Sequence, residues 1–183
     1  IAQPLGFNMH AMVAAYKNRI ITPPEDRAKL GALPKSLEVI DGVGLYHGSP
    51  IDPDEYLLTM EQAMQSLSLL EKTSIILGFF GHTHVPAFYE FDIRAGQFYD
   101  VEMNSDVPLE VNLDGSRRYL INPGSVGQPR DGDPKASFII FNMDGKRGSV
   151  LLHRVSYPIK ECQAKMRRGD FPDILVKRLD LGF

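Results

Sequence analysis

The spacing of apolar residues changes along the chain, and each change predicts a new element. From Asn8 to Arg19 the positions Met12, Val13 and Tyr16, with neighbouring alanines, share one face at helical spacing. Thr22-Pro23-Pro24-Glu25 then has the form of a capping box with proline in the first turn, opening a second helix. At Leu37 the helical period ends. Leu37 to Ile40 and Val43 to Tyr46 are two short strands joined by a turn at Asp41-Gly42. Thr59-Met60-Glu61-Gln62 is another capping box, followed by Ala63, Met64, Leu67 and Leu70 at helical spacing. Ile75 to Phe80 is apolar throughout apart from Gly78, the pattern of a strand covered on both faces.

Strand, helix and strand in this order are most simply parallel and right-handed. If the two strands are neighbours, the segments leaving their carboxyl ends share the sheet edge at which ligands bind in open α/β sheets. Those segments are His47-Gly48-Ser49-Pro50 and Gly81-His82-Thr83-His84. Beyond Pro86 the texture is antiparallel: Ala87 to Phe91, Gln97 to Glu102, Leu109 to Leu113, Tyr119 to Ile121, Ala136 to Phe141 and Ser149 to Val155, with turns at Asp114-Gly115 and Asp144-Gly145. These strands extend the first sheet or form a second. Two helices close the chain, with Pro158 near the start of the first, Gly169 stopping it and Asp170 to Pro172 opening the next. No repeat or linker interrupts residues 1–183, which read as one α/β domain.

Composition narrows the functional classes. A formal charge of -3 provides no basic field for binding nucleic acid indiscriminately, so phosphate recognition has to be local. The lone Cys162 excludes an internal disulfide and indicates a reducing, cytoplasmic setting. No apolar run approaches the roughly 20 residues of a membrane span. Ala2-Gln3-Pro4 lacks the features of a signal peptide, and Ile1 in the place of methionine implies that more chain preceded it.

Three of the five histidines, His47, His82 and His84, lie in glycine-flanked turns directly after strands. Neutral imidazole ligates zinc, manganese, iron and nickel, and flanking glycine lets the backbone bend close to an ion. On a straight strand His82 and His84 would share a face; a bend after Gly81 would send them to two ions about 3.5–4 Å apart. A two-metal hydrolytic site also needs carboxylate. The nearby Asp52, Asp54 and Glu55 are better read as first-turn carboxylates stabilising the positive end of a helix. The loop Asn122 to Gly127 is both a strong turn and a potential source of backbone N–H groups for phosphate, with Arg130 able to contact phosphate oxygens in a bidentate manner. His10 and His153 read as surface residues, Arg167-Arg168 as complements of a helix dipole, and Cys162 as packing.

Taken together, Tyr46-His47-Gly48-Ser49-Pro50, Gly81-His82-Thr83-His84, the loop Asn122 to Arg130 with its continuation to Ser137, and a tail containing Phe171-Pro172 and Arg178-Leu179 resemble the calcineurin-like metallophosphoesterases, within them the small bacterial and archaeal phosphodiesterases. The likeness runs from about Phe7 to Gly182. It implies a four-layer α/β/β/α sandwich, incomplete at its N-terminus, and two divalent ions (Mn, Fe, Zn or Ni), with His47 and His82 on one metal and His84 on the other. It implies hydrolysis of phosphate esters, small phosphodiesters or nucleotides, with Arg130 and Asn122 at the substrate. The family's Asp-x-His, Gly-Asp and Gly-Asn-His motifs, which supply the bridging aspartate and the catalytic histidine, are not found ahead of His47, so the catalytic group is expected upstream of Ile1.

Loss of those strands is expected to expose Ile75 to Phe80 and invite a second copy of the chain or a complementary N-terminal fragment. Two other functions are compatible with the same residues. One is a non-catalytic protein-interaction scaffold of this fold, and the other is a mononuclear zinc hydrolase using the three histidines.

Overall fold

The computed structural model describes residues 7–183; Ile1 to Gly6, on which the leader-peptide reading rests, lie outside them. Helices α1 (Met9–Ile21) and α2 (Pro24–Gly31) precede the hairpin β1 (Ser36–Ile40) and β2 (Val43–Tyr46), then α3 (Met60–Leu70) and β3 (Leu77–Phe79). Strands β4 (Pro86–Asp92), β5 (Gln97–Asp100), β6 (Leu109–Asn112), β7 (Arg117–Pro123), β8 (Ala136–Asp144) and β9 (Arg147–Val155) follow, and α4 (Ile159–Arg168) and α5 (Asp173–Leu181) end the chain. The strands form a six-stranded sheet in the order β1-β2-β3-β7-β4-β5 and a three-stranded sheet in the order β6-β9-β8. Extension of the first sheet and formation of a second therefore both occur. The result is the layered α/β fold expected from the sequence.

Two apolar clusters hold the layers together. Between the sheets, Val43, Leu77, Phe88, Tyr119 and Ile121 meet Val111, Leu113 and Val150. On the other face of the larger sheet, Ala63, Leu67 and Leu70 of α3 pack with Leu57, Ile75, Phe80, Tyr89 and Leu120. The α3 capping box forms as expected: Thr59 Oγ1 accepts from the Gln62 backbone N–H, and Gln62 Oε1 accepts from that of Thr59. β2 and β3 are parallel neighbours, pairing Val43 with Leu77 and Leu45 with Phe79. Their carboxyl ends consequently open at one edge, carrying His47 and residues 81–84 with them.

Several local expectations are corrected. Thr22 does not cap α2: its hydroxyl donates back to Asn18 O at 2.6 Å, closing α1, and Pro23 takes the position before α2 with no side-chain cap. Asp52, Asp54 and Glu55 are in an irregular loop, not a helix, because Ser49 Oγ and Asp52 Oδ1 accept the N–H groups of Asp52 and Asp54. Gly48 is pinned beneath this loop, where an added Cβ would fall 2.6 Å from the carbonyl oxygens of Pro53 and Glu55. In α1 the large residues Met12, Val13 and Tyr16 remain partly exposed, and it is the small residues that face a cleft described below.

Ile75 to Phe80 is not left bare. β3 lies between β2 and β7, and Ile75, Leu77 and Phe80 are buried. Open edges fall on the outer strands instead, among them β1 of the larger sheet, which exposes Leu37, Val39 and Ile40, and β8 of the smaller one. β8 is nine residues long, free of proline and lysine, and exposes Phe138 and Ile140. An unprotected apolar edge of this kind is a template for adding a strand. Among the described residues no helix is long and apolar enough to cross a membrane.

Candidate metal centre

Residues 80–85 leave the β3 ladder at once. Both His82 (φ 66°) and His84 (φ 62°) adopt the left-handed conformation, which costs a non-glycine residue of order 1–3 kcal/mol and persists only when its surroundings enforce it. Asn122 supplies that enforcement. Its side chain is fully buried, with Nδ2 donating to Gly81 O at 2.9 Å and to Thr83 Oγ1 at 2.8 Å while Oδ1 accepts from Gly124 N at 2.8 Å. Thr83, also buried, accepts the Val85 N–H through the same hydroxyl. The backbone thus turns twice, presenting His82 and His84 in different directions.

His82 faces His47 and the loop after β2. Its ring lies 4.7 Å from that of His47 and 3.8 Å from that of Tyr56, and its Nε2 donates to Asp54 O at 3.2 Å. His84 turns to the other loop, donating from Nδ1 to Gln128 O at 2.7 Å, and its own carbonyl accepts the Arg130 N–H at 3.2 Å. A cleft of about 620 Å³ joins all three imidazoles. Asn8, Ala11, Ala15 and Asn18 wall it from α1, and Arg130 and Arg178 from the opposite side. A larger cleft of about 840 Å³ lies at the other end of the strands, but it contains no histidine, and its Arg117 is neutralised by Glu90 and Asp92.

Burial lowers the pKa of both His82 and His84. Repulsion from His47 adds to the effect at His82, and repulsion from Arg130 adds to it at His84, while their hydrogen bonds to backbone carbonyls oppose it. A ring nitrogen donating to a carbonyl leaves the opposite nitrogen unprotonated, which is the form that ligates metal. The donor chemistry therefore fits a divalent ion. The donor number does not complete a two-metal site: among the described residues no three His, Cys, Asp or Glu side chains are grouped closely enough to hold an ion, and the cleft has no carboxylate.

Asn122, expected at the substrate, is a positioning residue with no amide group left to offer. In the loop, Gly124 N donates to Asn122 Oδ1 and the N–H groups of Gly127 and Gln128 to Ser125 Oγ, so these three are not free to meet a phosphate. Arg130 does line the cleft. His10 is exposed, and His153 sits on β9 between Phe138 and Asp106.

A crystal structure of a metallophosphoesterase from Sphaerobacter thermophilus superposes on this chain with a TM-score of 0.79 and 36% sequence identity, covering 96% of this chain and 70% of that one. This chain belongs to the calcineurin-like metallophosphoesterase family. The uncharacterized protein MJ0912 of Methanocaldococcus jannaschii is 32% identical over 187 aligned positions, 96% of this chain and 68% of its own length. The hypothetical protein PH1004 of Pyrococcus horikoshii, 17% identical with a TM-score of 0.62 over 92% of this chain and 65% of its own, shares the fold. No family model matches the chain. Kinship with metallophosphoesterases implies phosphoester hydrolysis and divalent-metal use in general.

Asn8 and Tyr56 are residues of this metallophosphoesterase cleft that sequence reasoning did not single out, and Arg178, noted in the closing helix, was given no place in the site. Asn8 carried a signal, an Asx residue at the start of a helical period, and it does cap α1 by accepting the Ala11 N–H. Tyr56 carried none, because neither spacing nor neighbours set it apart, and Arg178 was marked only as part of the closing helix.

The lowered histidine pKa values make a pH prediction. The unfolded chain, with ordinary histidine pKa values near 6.5, binds protons before the folded one does, so stability present above that pH is lost as pH falls through the lower folded values. The melting temperature is expected to fall between pH 7 and 5.5, and His84→Gln is expected to flatten that slope in a calorimetric series.

Proposed function

We propose that the protein containing this chain hydrolyses phosphate esters, small phosphodiesters or nucleotides, at a two-metal site to which His47, His82 and His84 contribute. The observation that supports this most is the approach of His47 to His82 across two parallel strand ends, beside a separately oriented His84, in a chain of this family. His47 and His82 would serve one ion and His84 the other; imidazole donors suit Mn, Fe, Zn or Ni. Such ions, when bound, polarise phosphoryl oxygen and lower the pKa of a bound water.

The chain's own residues orient and exclude. Asp54 O and Gln128 O fix the histidine rings, the Tyr56 ring lies tilted against His82, and Arg130, which lines the cleft, would meet phosphate oxygens there. This reading assigns the carboxylate ligands and the general acid to chain outside these residues, in a cytoplasmic protein.

To test it, the chelator-stripped protein is reloaded with each ion and assayed on chromogenic phosphate esters. Turnover that appears with metal and disappears with chelator is expected. Turnover indifferent to both would overturn the proposal. The carboxylate-free cleft favours a second reading, a non-catalytic scaffold of the same fold, which an intact but inactive metal-loaded protein would support.

A further inference from the structure

The smaller sheet has three strands against the larger sheet's six, and one of its sides ends on β8. β8 pairs with β9 without a break from Ala136 to Asp144, so its backbone groups alternate between bonding β9 and pointing off the edge. Two contacts fix which residues point outward. Leu152 O turns to the β6 side of β9, where it accepts the Asp106 N–H at 2.9 Å; the β9 residues facing β8 are then the odd-numbered ones, whose partners are the even-numbered residues of β8. Ser137 N agrees, since it points away from β9 and donates to Ser125 O at 2.9 Å. The N–H and C=O groups of Ile139, Phe141 and Met143 therefore leave the edge, and no described residue bonds them.

This edge is apolar on both faces. Ile139 and Phe141 turn towards the core, with the Phe141 ring edge-on to Phe79 at 5.7 Å, while Phe138 and Ile140 turn outward and are exposed. No charged residue occurs between Lys135 and Asp144. Beside Met143 a gap of about 410 Å³ opens between the layers, with Ile40, Ile76 and Leu113 in its lining, and β1 alongside is exposed over its whole length. Unpaired backbone groups on a bare hydrophobic edge form a template for one more strand.

We propose that a second copy of the chain docks here, β8 pairing antiparallel with the partner's β8 about a two-fold axis at Phe141. In this register the edge is its own complement. Phe141 meets the partner's Phe141, and Ile139 meets the partner's Met143, each pair exchanging both of its hydrogen bonds. Registers shifted towards the start of β8 would call on the Ser137 N–H, which Ser125 O already holds. No like charges face each other across the axis, and Ile140 lies diagonal to the partner's Ile140 on the outer face. Two three-stranded sheets become one of six strands, and the added strand extends the smaller layer beyond β8, beside the gap at Met143 and Ile40. The pairing is independent of the hydrolytic reading.

Sedimentation equilibrium from micromolar to sub-millimolar chain tests it, with hydrogen exchange at Ile139, Phe141 and Met143 followed over the same range. A reversible dimer is expected, and these three amides are expected to gain protection as concentration rises. Ile140→Lys places two lysines diagonally about the axis, on a face already exposed. Met143→Pro removes an outward N–H that β9 does not use, the position at which an edge strand tolerates proline. Each variant is expected to weaken association about tenfold or more while the dilute chain melts as the wild type does. Should Met143→Pro lose its fold, Ile140→Lys alone decides. A monomer throughout, or a dimer indifferent to the substitutions, overturns the proposal. Protection of the three amides that does not change with concentration also overturns it, and gives the edge to a strand from elsewhere in the same chain.

Discussion

Replacing His82 with alanine is expected to cut metal-dependent phosphoester turnover by at least about 100-fold, since even the loss of residues that merely support a ligand costs 10–100-fold in metal affinity or activity. His82 is central to the rim: its ring touches those of both His47 and Tyr56, and its Nε2 ties residue 82 to the loop after β2 through Asp54 O. Alanine also lacks the tolerance for φ 66° that asparagine has, so the variant mixes loss of a donor with backbone strain. His82→Asn separates the two effects. Asparagine accepts the left-handed conformation but is a poorer metal donor, so activity is expected to stay low while the melting temperature returns close to wild type. Metal content by elemental analysis should fall with turnover in both variants. Undiminished turnover in His82→Ala would remove His82 from the metal site.

The sequence was most informative where side-chain chemistry acts locally. The Thr59–Gln62 capping box, the Asp41-Gly42 turn and the parallel approach of β2 and β3 were all legible, because capping, positive φ at glycine and strand–helix–strand handedness each depend on a few adjacent residues. The gathering of His47 with His82 followed from that topology. Whatever depended on distant partners was not legible. Thr22 looks like a helix cap until Pro23 moves the boundary and Asn18 O takes its hydroxyl. Asp52 and Asp54 suit a helix start until Ser49 diverts the backbone into side-chain-closed turns.

The exposed edges fall on outer strands such as β1 and β8 and not on residues 75–80, a consequence of strand order, since β7 crosses back to cover β3. Arg178 joins the cleft only because α5 docks on residues 132–133, a contact between segments nearly fifty residues apart.

Asn122 is where these levels meet, and Asn122→Leu is expected to destabilise the fold by about 3–5 kcal/mol, a large share of the roughly 5–15 kcal/mol that holds a domain together. Leucine nearly matches the side chain in size, so the loss comes from hydrogen bonding more than from a cavity. Gly81 O and Thr83 Oγ1 lose a donor, and Gly124 N loses its acceptor; an unsatisfied buried group costs about 1–3 kcal/mol. Those same bonds hold the double left-handed turn at His82 and His84. Once they are gone, the turn should relax towards ordinary backbone and the imidazoles should lose their separate orientations. Hydrogen exchange at residues 81–85 is therefore expected to accelerate beyond what the global loss explains, and metal affinity to drop without any candidate ligand having been changed. Denaturant unfolding measures the first effect and exchange the second. A variant as stable as wild type, with protected amides at 81–85, would show that the turn is held by something other than Asn122.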